Sequence, residues 1–429
     1  MDQQMRRHRL LQKAIKGLIA ALLLLPVAGV HGQTKRIAKE YPFLYLEKNE
    51  LQYFGDSSRF THFFDRLDTL LFEGRGKINI LHMGGSHVQA GTLSNALREH
   101  FLSLSPGLKG ERGFFFPYKL ARTNNPFNYR VSTTGKWEGC RCSVPKMDCP
   151  WGVSGINATT YDSTAQVKLY ARDADRNNYF FDAVRIYHHQ DSGSYELSMD
   201  ADYNITSCRE DTVANYTEFT FGQQYDTLQF SLTKVDSIES QFTIQGIQYM
   251  LDQPGLVYHS IGVNGASTAS YLRANNFTNQ LASFPPDLVI FGIGINDSYM
   301  PESAFNQRVF ESRYEEIIAQ IRSVNPKAAF LFLTNNDSYY RRRYPNRNVF
   351  KITDGMVNVA KRNDAAMWDL FGVMGGLNAI RTWEEYQIAK KAKIHFTHKG
   401  YRLQAGLLFE AIKKAYSQHL SATYSTKEP

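Results

Sequence analysis

The alternation of apolar strand text with amphipathic helix text starts near residue 57, breaks off after residue 104 and resumes at residue 256. That interruption limits the possible folds more than any other feature of the 429 residues. Residues 57–74 (SSRFTHFFDRLDTLLFEG) space Phe60, Phe63, Phe64, Leu67 and Leu71 at helical intervals and close on Gly74. INILHM (78–83) reads as a buried strand, turns sharply at GGSH and passes into helical periodicity over Val88–Leu104. A strand, a tight glycine-containing turn and a helix form the opening unit of a doubly wound α/β sheet.

Between Gln166 and Met250 the text changes to short strands: VKL (167–169), FDAVRIY (181–187), TLQFSL (227–232) and FTIQGI (242–247). LQFSL alternates apolar and polar residues, as a half-buried antiparallel strand does, and polar turn clusters separate the runs. The segment 113–129 (GFFFPYKLARTNNPFNY) leads into this region, and its run of three phenylalanines, Phe114–Phe116, reads as core or lid. The α/β rhythm returns with LVYHSIG (256–262), DLVIFGIG (287–294), AAFLFLTNN (328–336) and the weaker AAMWDLF (365–371). Phe305–Val324, Ile352–Arg362 and Lys399–Tyr416 are the intervening and closing helices. The expected fold is therefore α/β, a doubly wound, flavodoxin-like parallel sheet over 33–129 and 253–420. A β-sandwich inserted over 130–252 splits it in sequence.

The first 32 residues read as a secretory signal peptide. Arg6, Arg7, Arg9, Lys13 and Lys16 precede an apolar run from Gly17 to Val30, with small residues before a cut ahead of Gln33. The run is short for a bilayer span and contains Pro26, so no stable membrane anchor is expected after cleavage, and the protein is expected to be periplasmic or secreted. Loss of five basic residues and Asp2 lowers the formal charge from +8 to +4. That modest balance, without a basic stripe interleaved with aromatics, argues against a nucleic-acid partner. Cys140, Cys142, Cys149 and Cys208 lack paired CxxC spacing and read as disulfides in an exported chain, with three connectivities open. His188–His189 alternates faces on a strand and offers no further ligand spacing, so neither a metal nor any other cofactor is expected. The sequence leaves the oligomeric state open.

In an open α/β sheet, ligands gather at the carboxyl ends of the strands. Ser86 follows the first strand in GGSHVQAG, Gly265 the second in GVNGAST and Asn296 the third in GIGIND, while His395 precedes the last helix in HFTHKGY. Acyl transfer needs this set. A serine hydroxyl becomes a useful nucleophile when a histidine removes its proton. The oxyanion that follows needs fixed donors: the Ser86 and Gly265 backbone N–H groups and the Asn296 amide. The run RRRYPNR (341–347), after the 328–336 strand, reads as a basic loop beside this edge, with Tyr339 and Tyr340 as loop aromatics.

These four clusters resemble the ordered blocks of the SGNH, or GDSL-like, hydrolase superfamily, over about residues 77–104 and 257–417. The resemblance implies a nucleophile at Ser86, a base at His395, an oxyanion hole of Ser86, Gly265 and Asn296, and no metal. The chain departs from the pattern twice. The first block carries Gly85 where the family has Asp, and Ala392 stands three residues before His395 where the family's Asp orients the imidazole. In serine proteases, disabling that acid costs about 10⁴ in rate. Substitute acids in the sequence are Asp297, Glu384 and Glu385.

An exported chain with a β-rich insertion between the first two blocks resembles bacterial peptidoglycan O-acetylesterases, whose β domain is carbohydrate-binding-like. The implied partner is an acetylated cell-envelope glycan or a small acyl ester. Three functions follow from the same residues: an O-acetyl esterase, an O-acetyltransferase, or a glycan-binding protein that kept the fold after losing the acid.

Overall fold

The structure, a computed structural model, describes residues 35–172, 179–190, 193–235 and 240–425; the expected signal segment 1–32 lies outside them. Five parallel strands form the middle of one sheet: β1 (Lys77–Gly84), β2 (Gly255–Gly262), β3 (Leu288–Gly292), β4 (Ala329–Leu333) and β5 (Ala366–Trp368). Their spatial order is β5-β4-β3-β1-β2. Gly110–Glu111 adds a parallel edge beside β2, and Leu51–Tyr53 an antiparallel edge beside β5. Neither edge strand was expected from the sequence, because two- and three-residue strands carry too little periodicity.

The strands are apolar throughout because both faces are covered. Leu288 and Ile290 of β3 join Ile78, Ile80 and Leu331 in a core with α1 (Ser58–Glu73), α2 (Thr92–Leu102) and α5 (His398–Ser425). Val289 and Phe291 point the other way, into a core with α3 (Gln307–Val324) and α4 (Asn348–Arg362). This is the doubly wound arrangement the text predicts, with one difference. The single helix expected over Val88–Leu104 is two, Ser86–Gln89 and α2, broken at Gly91, whose φ of 76° is left-handed.

The inserted region forms two antiparallel sheets. One runs Tyr195–Met199, Thr227–Lys234, Thr164–Ala171, Tyr129–Thr133; the larger runs from Ile205–Asp211 through Tyr216–Tyr225, Phe181–Gln190, Phe242–Met250 and Ile156–Thr160 to Glu138–Arg141. Val167, Leu169, Phe230 and Leu232 of the first share one apolar cluster with Val184, Ile186 and Ile244 of the second. That cluster continues into Met83, Val289 and Phe291 of the α/β sheet. Gly113–Phe115 also pairs with Phe242–Met250, so the larger sheet recruits chain from before residue 130. The phenylalanine run of that segment is core: Phe114, Phe115 and Phe116 are at most 1% exposed.

One disulfide forms, Cys140–Cys149; Cys142 is buried and Cys208 exposed, both as free thiols. The reading of all four cysteines as disulfides is thus corrected. Cys208 pairs across to Phe219 on the outer strand of the larger sheet, far along the ladder from the strand that carries Cys140. Among the described residues no helix is long and apolar enough to cross a membrane.

Candidate active site

β1 is flanked by β2 on one side and β3 on the other, and the chain reverses its direction of progress across the sheet there. Crevices at such a switch point are where open α/β sheets hold ligands. Gly84, Gly262 and Gly292 lie in register across these three strand ends. The glycines let the next turn settle on the sheet. A Cβ at Gly84 would come within 2.2 Å of Val88, and one at Gly262 within 2.5 Å of the Gln89 nitrogen. The four-residue helix Ser86–Gln89 therefore packs directly over the strand ends, with Ser86 at its first position.

The structure brings together all four residues singled out in the sequence. Ser86 Oγ lies 2.8 Å from His395 Nε2. Ser86, Gly265, Asn296 and His395 line one pocket of about 530 Å³, with Asn124, Asn264, Tyr299, Lys390, Ile394 and Tyr401 among its other walls. Gly265 is exposed with φ 82°, a conformation suited to glycine. As the first helical residue, Ser86 has a backbone N–H with no carbonyl one turn back to receive it. Asn296 donates one amide hydrogen to the Ala266 carbonyl at 2.8 Å, which turns the amide and leaves its second hydrogen available.

Among the described residues no carboxylate lies within 4.0 Å of His395, and no hydrogen bond reaches Nδ1. Asp297 is buried and accepts from the Thr268 backbone N–H and, at 2.6 Å, from its hydroxyl; burial pushes its carboxyl up to about 6. It ties the third block to the helix after the second. Glu384 pairs with Lys393 at 3.5 Å, and Glu385 is exposed. Burial first, and the Lys390 ammonium second, hold the His395 imidazole below its ordinary range.

His87 faces the base from the other side. Its ring lies 5.1 Å from that of His395, its Nδ1 meets the Tyr401 hydroxyl at 2.9 Å, and burial pushes it down to about 3. A neutral His87 adds no charge to the site.

Several supporting residues escaped the sequence reading. Gln89, fully buried, donates to the Thr123 hydroxyl and the Asn124 carbonyl while its own carbonyl receives the Asn264 N–H at 2.7 Å. It thereby fixes the loop that carries Gly265. From the other side, Ser143 donates to the Asn264 carbonyl at 2.8 Å, and Arg273 donates to the carbonyls of Cys142, Val144 and Met147. The disulfide-closed loop of the inserted region thus packs against the segment that carries Gly265. The only local sign of it was the crowding of Cys140, Cys142 and Cys149.

The basic run beyond β4 folds as a hairpin of Tyr339–Tyr340 and Tyr344–Pro345. Arg341 donates its backbone N–H to the Tyr299 hydroxyl on the pocket rim.

Residues 239–403 match the GDSL-like Lipase/Acylhydrolase family. The match includes Gly265, Asn296 and His395 and omits Ser86, which the insertion separates from them. No curated protein matches the sequence. A solved peptidoglycan O-acetylesterase is similar with a TM-score of 0.68 and 18% identity, over 86% of this chain and 99% of that one. An acetyl xylan esterase (TM-score 0.30, 20% identity) is similar over 38% of this chain and 82% of its own. A lipase/acylhydrolase from Enterococcus faecalis (TM-score 0.29, 18% identity) is similar over 38% and 78%. A serine and a histidine in hydrogen-bond contact thus lie at the switch point of the sheet, in a chain that matches the GDSL-like Lipase/Acylhydrolase family over residues 239–403 and whose fold resembles that of a solved peptidoglycan O-acetylesterase.

Proposed function

We propose that this is an exported, periplasmic or secreted, serine esterase that removes O-acetyl groups from a cell-envelope glycan such as peptidoglycan. The observation that carries the reading is the 2.8 Å contact between Ser86 Oγ and His395 Nε2 in an open pocket at the strand ends.

In this reading Ser86 Oγ attacks the acetyl carbonyl carbon as its proton passes to His395 Nε2. The carbonyl oxygen takes up negative charge facing the Ser86 and Gly265 N–H groups and the free Asn296 amide hydrogen. Collapse of the tetrahedral species breaks the ester bond, and His395 returns the proton to the departing sugar oxygen. Water then repeats the attack on acetyl-Ser86, with His395 as base, and releases acetate. The step works as a dyad. The imidazolium that forms has no carboxylate beside it, so turnover is slower than a full triad allows.

Supporting an acetylated glycan is the whole-chain likeness to a peptidoglycan O-acetylesterase, inserted sheets included. The inserted sheets, 130–252, are assigned the role of positioning the polymer. The hydrolase is preferred to a binding-only protein because the serine–histidine contact is intact.

Acetate release from O-acetylated peptidoglycan, compared between the wild type and Ser86→Ala, tests the proposal. Release by the wild type and none by the variant is the expected result. Acetyl groups appearing on a sugar acceptor instead of as free acetate would make it a transferase. No turnover of any acetyl ester would leave the binding-only reading.

A further inference from the structure

On the α/β domain, α1 packs beside the C-terminal part of α5. Asp65 and Asp68 stand on successive turns of α1, on one face. His419 reaches them from α5: its Nε2 lies 3.5 Å from Asp65 Oδ1 and 3.5 Å from Asp68 Oδ2. The His419 side chain is only 8% exposed, yet its Nε2 makes no hydrogen bond. The ring is held by Phe64, 5.4 Å away, and stacked on Tyr416. Tyr416 in turn donates its hydroxyl to Asp68 Oδ1, leaving Oδ2 to face the histidine.

We propose that Asp65, Asp68 and His419 form a binding site for a divalent transition-metal ion of the zinc class. A buried ring nitrogen that faces two carboxylates without a hydrogen bond calls for a partner. The donor atoms lie within 4.8 Å of one another. A tetrahedral ion held at about 2.1 Å from each ligand spreads its donors about 3.4 Å apart, which is the separation His419 keeps from both carboxylates. One imidazole and two carboxylates suit zinc, cobalt or nickel better than calcium or magnesium, which favour oxygen alone. The fourth position opens to solvent on the exposed Asp65 side. The Tyr416 hydroxyl bond to Asp68 supplies the outer hydrogen bond that ligating carboxylates usually have. Nothing in the sequence marks this site, because His419 lies more than 350 positions from both aspartates.

Titration of the purified protein with Zn²⁺ by calorimetry, and with Co²⁺ by visible absorption, reads the site directly. One ion per chain is expected, with the absorption of four-coordinate Co²⁺ and a higher unfolding temperature in Zn²⁺. His419→Gln should abolish these effects. Asp65→Asn, at an exposed position where folding is not at stake, should weaken binding at least about 10-fold while turnover of a small aryl ester stays unchanged. Absence of Zn²⁺ binding, or binding equal in the wild type and both variants, would overturn the site and leave the three side chains as an ion-pair cluster.

Discussion

His395 keeps its Nε2 2.8 Å from Ser86 Oγ, while Ala392 stands three positions before it in the sequence. The imidazole is therefore oriented by packing and by one hydrogen bond, with no carboxylate beside it among the described residues. Ala392→Asp is expected to raise kcat at least about tenfold, within the ~10⁴ that such an acid contributes elsewhere. His395→Ala should erase the gain. Kinetics of both variants on an aryl acetate check this, and an unchanged kcat in Ala392→Asp would mean that the dyad model is wrong.

Ser86 is expected to be the residue acylated by a fluorophosphonate probe. Ser86→Ala should abolish labelling and lower kcat by roughly 10⁴–10⁶. Labelling that survives the substitution would move the nucleophile elsewhere.

The pH profile follows from the imidazole's surroundings. His395 must be neutral to accept a proton, and burial and Lys390 both favour the neutral form. Activity should therefore persist below the ordinary histidine value of 6.5, with the acid limb of kcat/KM displaced downward. Lys390→Ala removes a positive neighbour and should move that limb upward. A wild-type limb above 6.5 would show that a carboxylate reaches the imidazole in solution.

Asn296→Ala should lower kcat about 10²–10³-fold with KM little changed, the signature of a donor that acts in the transition state. Part of the loss comes from the Ala266 carbonyl, which would lose its donor. An unchanged kcat would make Asn296 purely structural.

The Cys140–Cys149 bridge closes a short loop whose Ser143 holds the Asn264 carbonyl. Cys140→Ser is expected to cost about 2–3 kcal/mol on the chain-entropy argument and to reduce kcat on small esters as the Gly265 loop loosens. Urea unfolding and steady-state kinetics check the two effects; a change confined to stability would separate the loop from the site.

How much of this was legible in the sequence depends on range. Ser86, Gly265, Asn296 and His395 were readable because each follows a strand or precedes a helix, where local text is strongest. The five parallel strands were readable for the same reason, being continuous apolar runs between helices. Gln89, Ser143 and Arg273 were not: each acts through a partner more than 100 residues away, and nothing in the neighbouring text marks it. The pairing of Gly113–Phe115 with Phe242–Met250 is hidden likewise, since three residues carry no periodicity.

The insertion between β1 and β2 also sets when the site comes into being. Ser86 and His395 are 309 positions apart, and the base lies between the last strand and the last helix. A chain growing from its N-terminus completes the Ser86 turn early, but no segment made before residue 395 contains the histidine assigned as its proton acceptor. Partly synthesised chains, and chains clipped ahead of the last helix, thus hold an inert serine. In the proposed mechanism esterase competence is the final thing this topology assembles, so that activity would itself report that the C-terminal segment has docked.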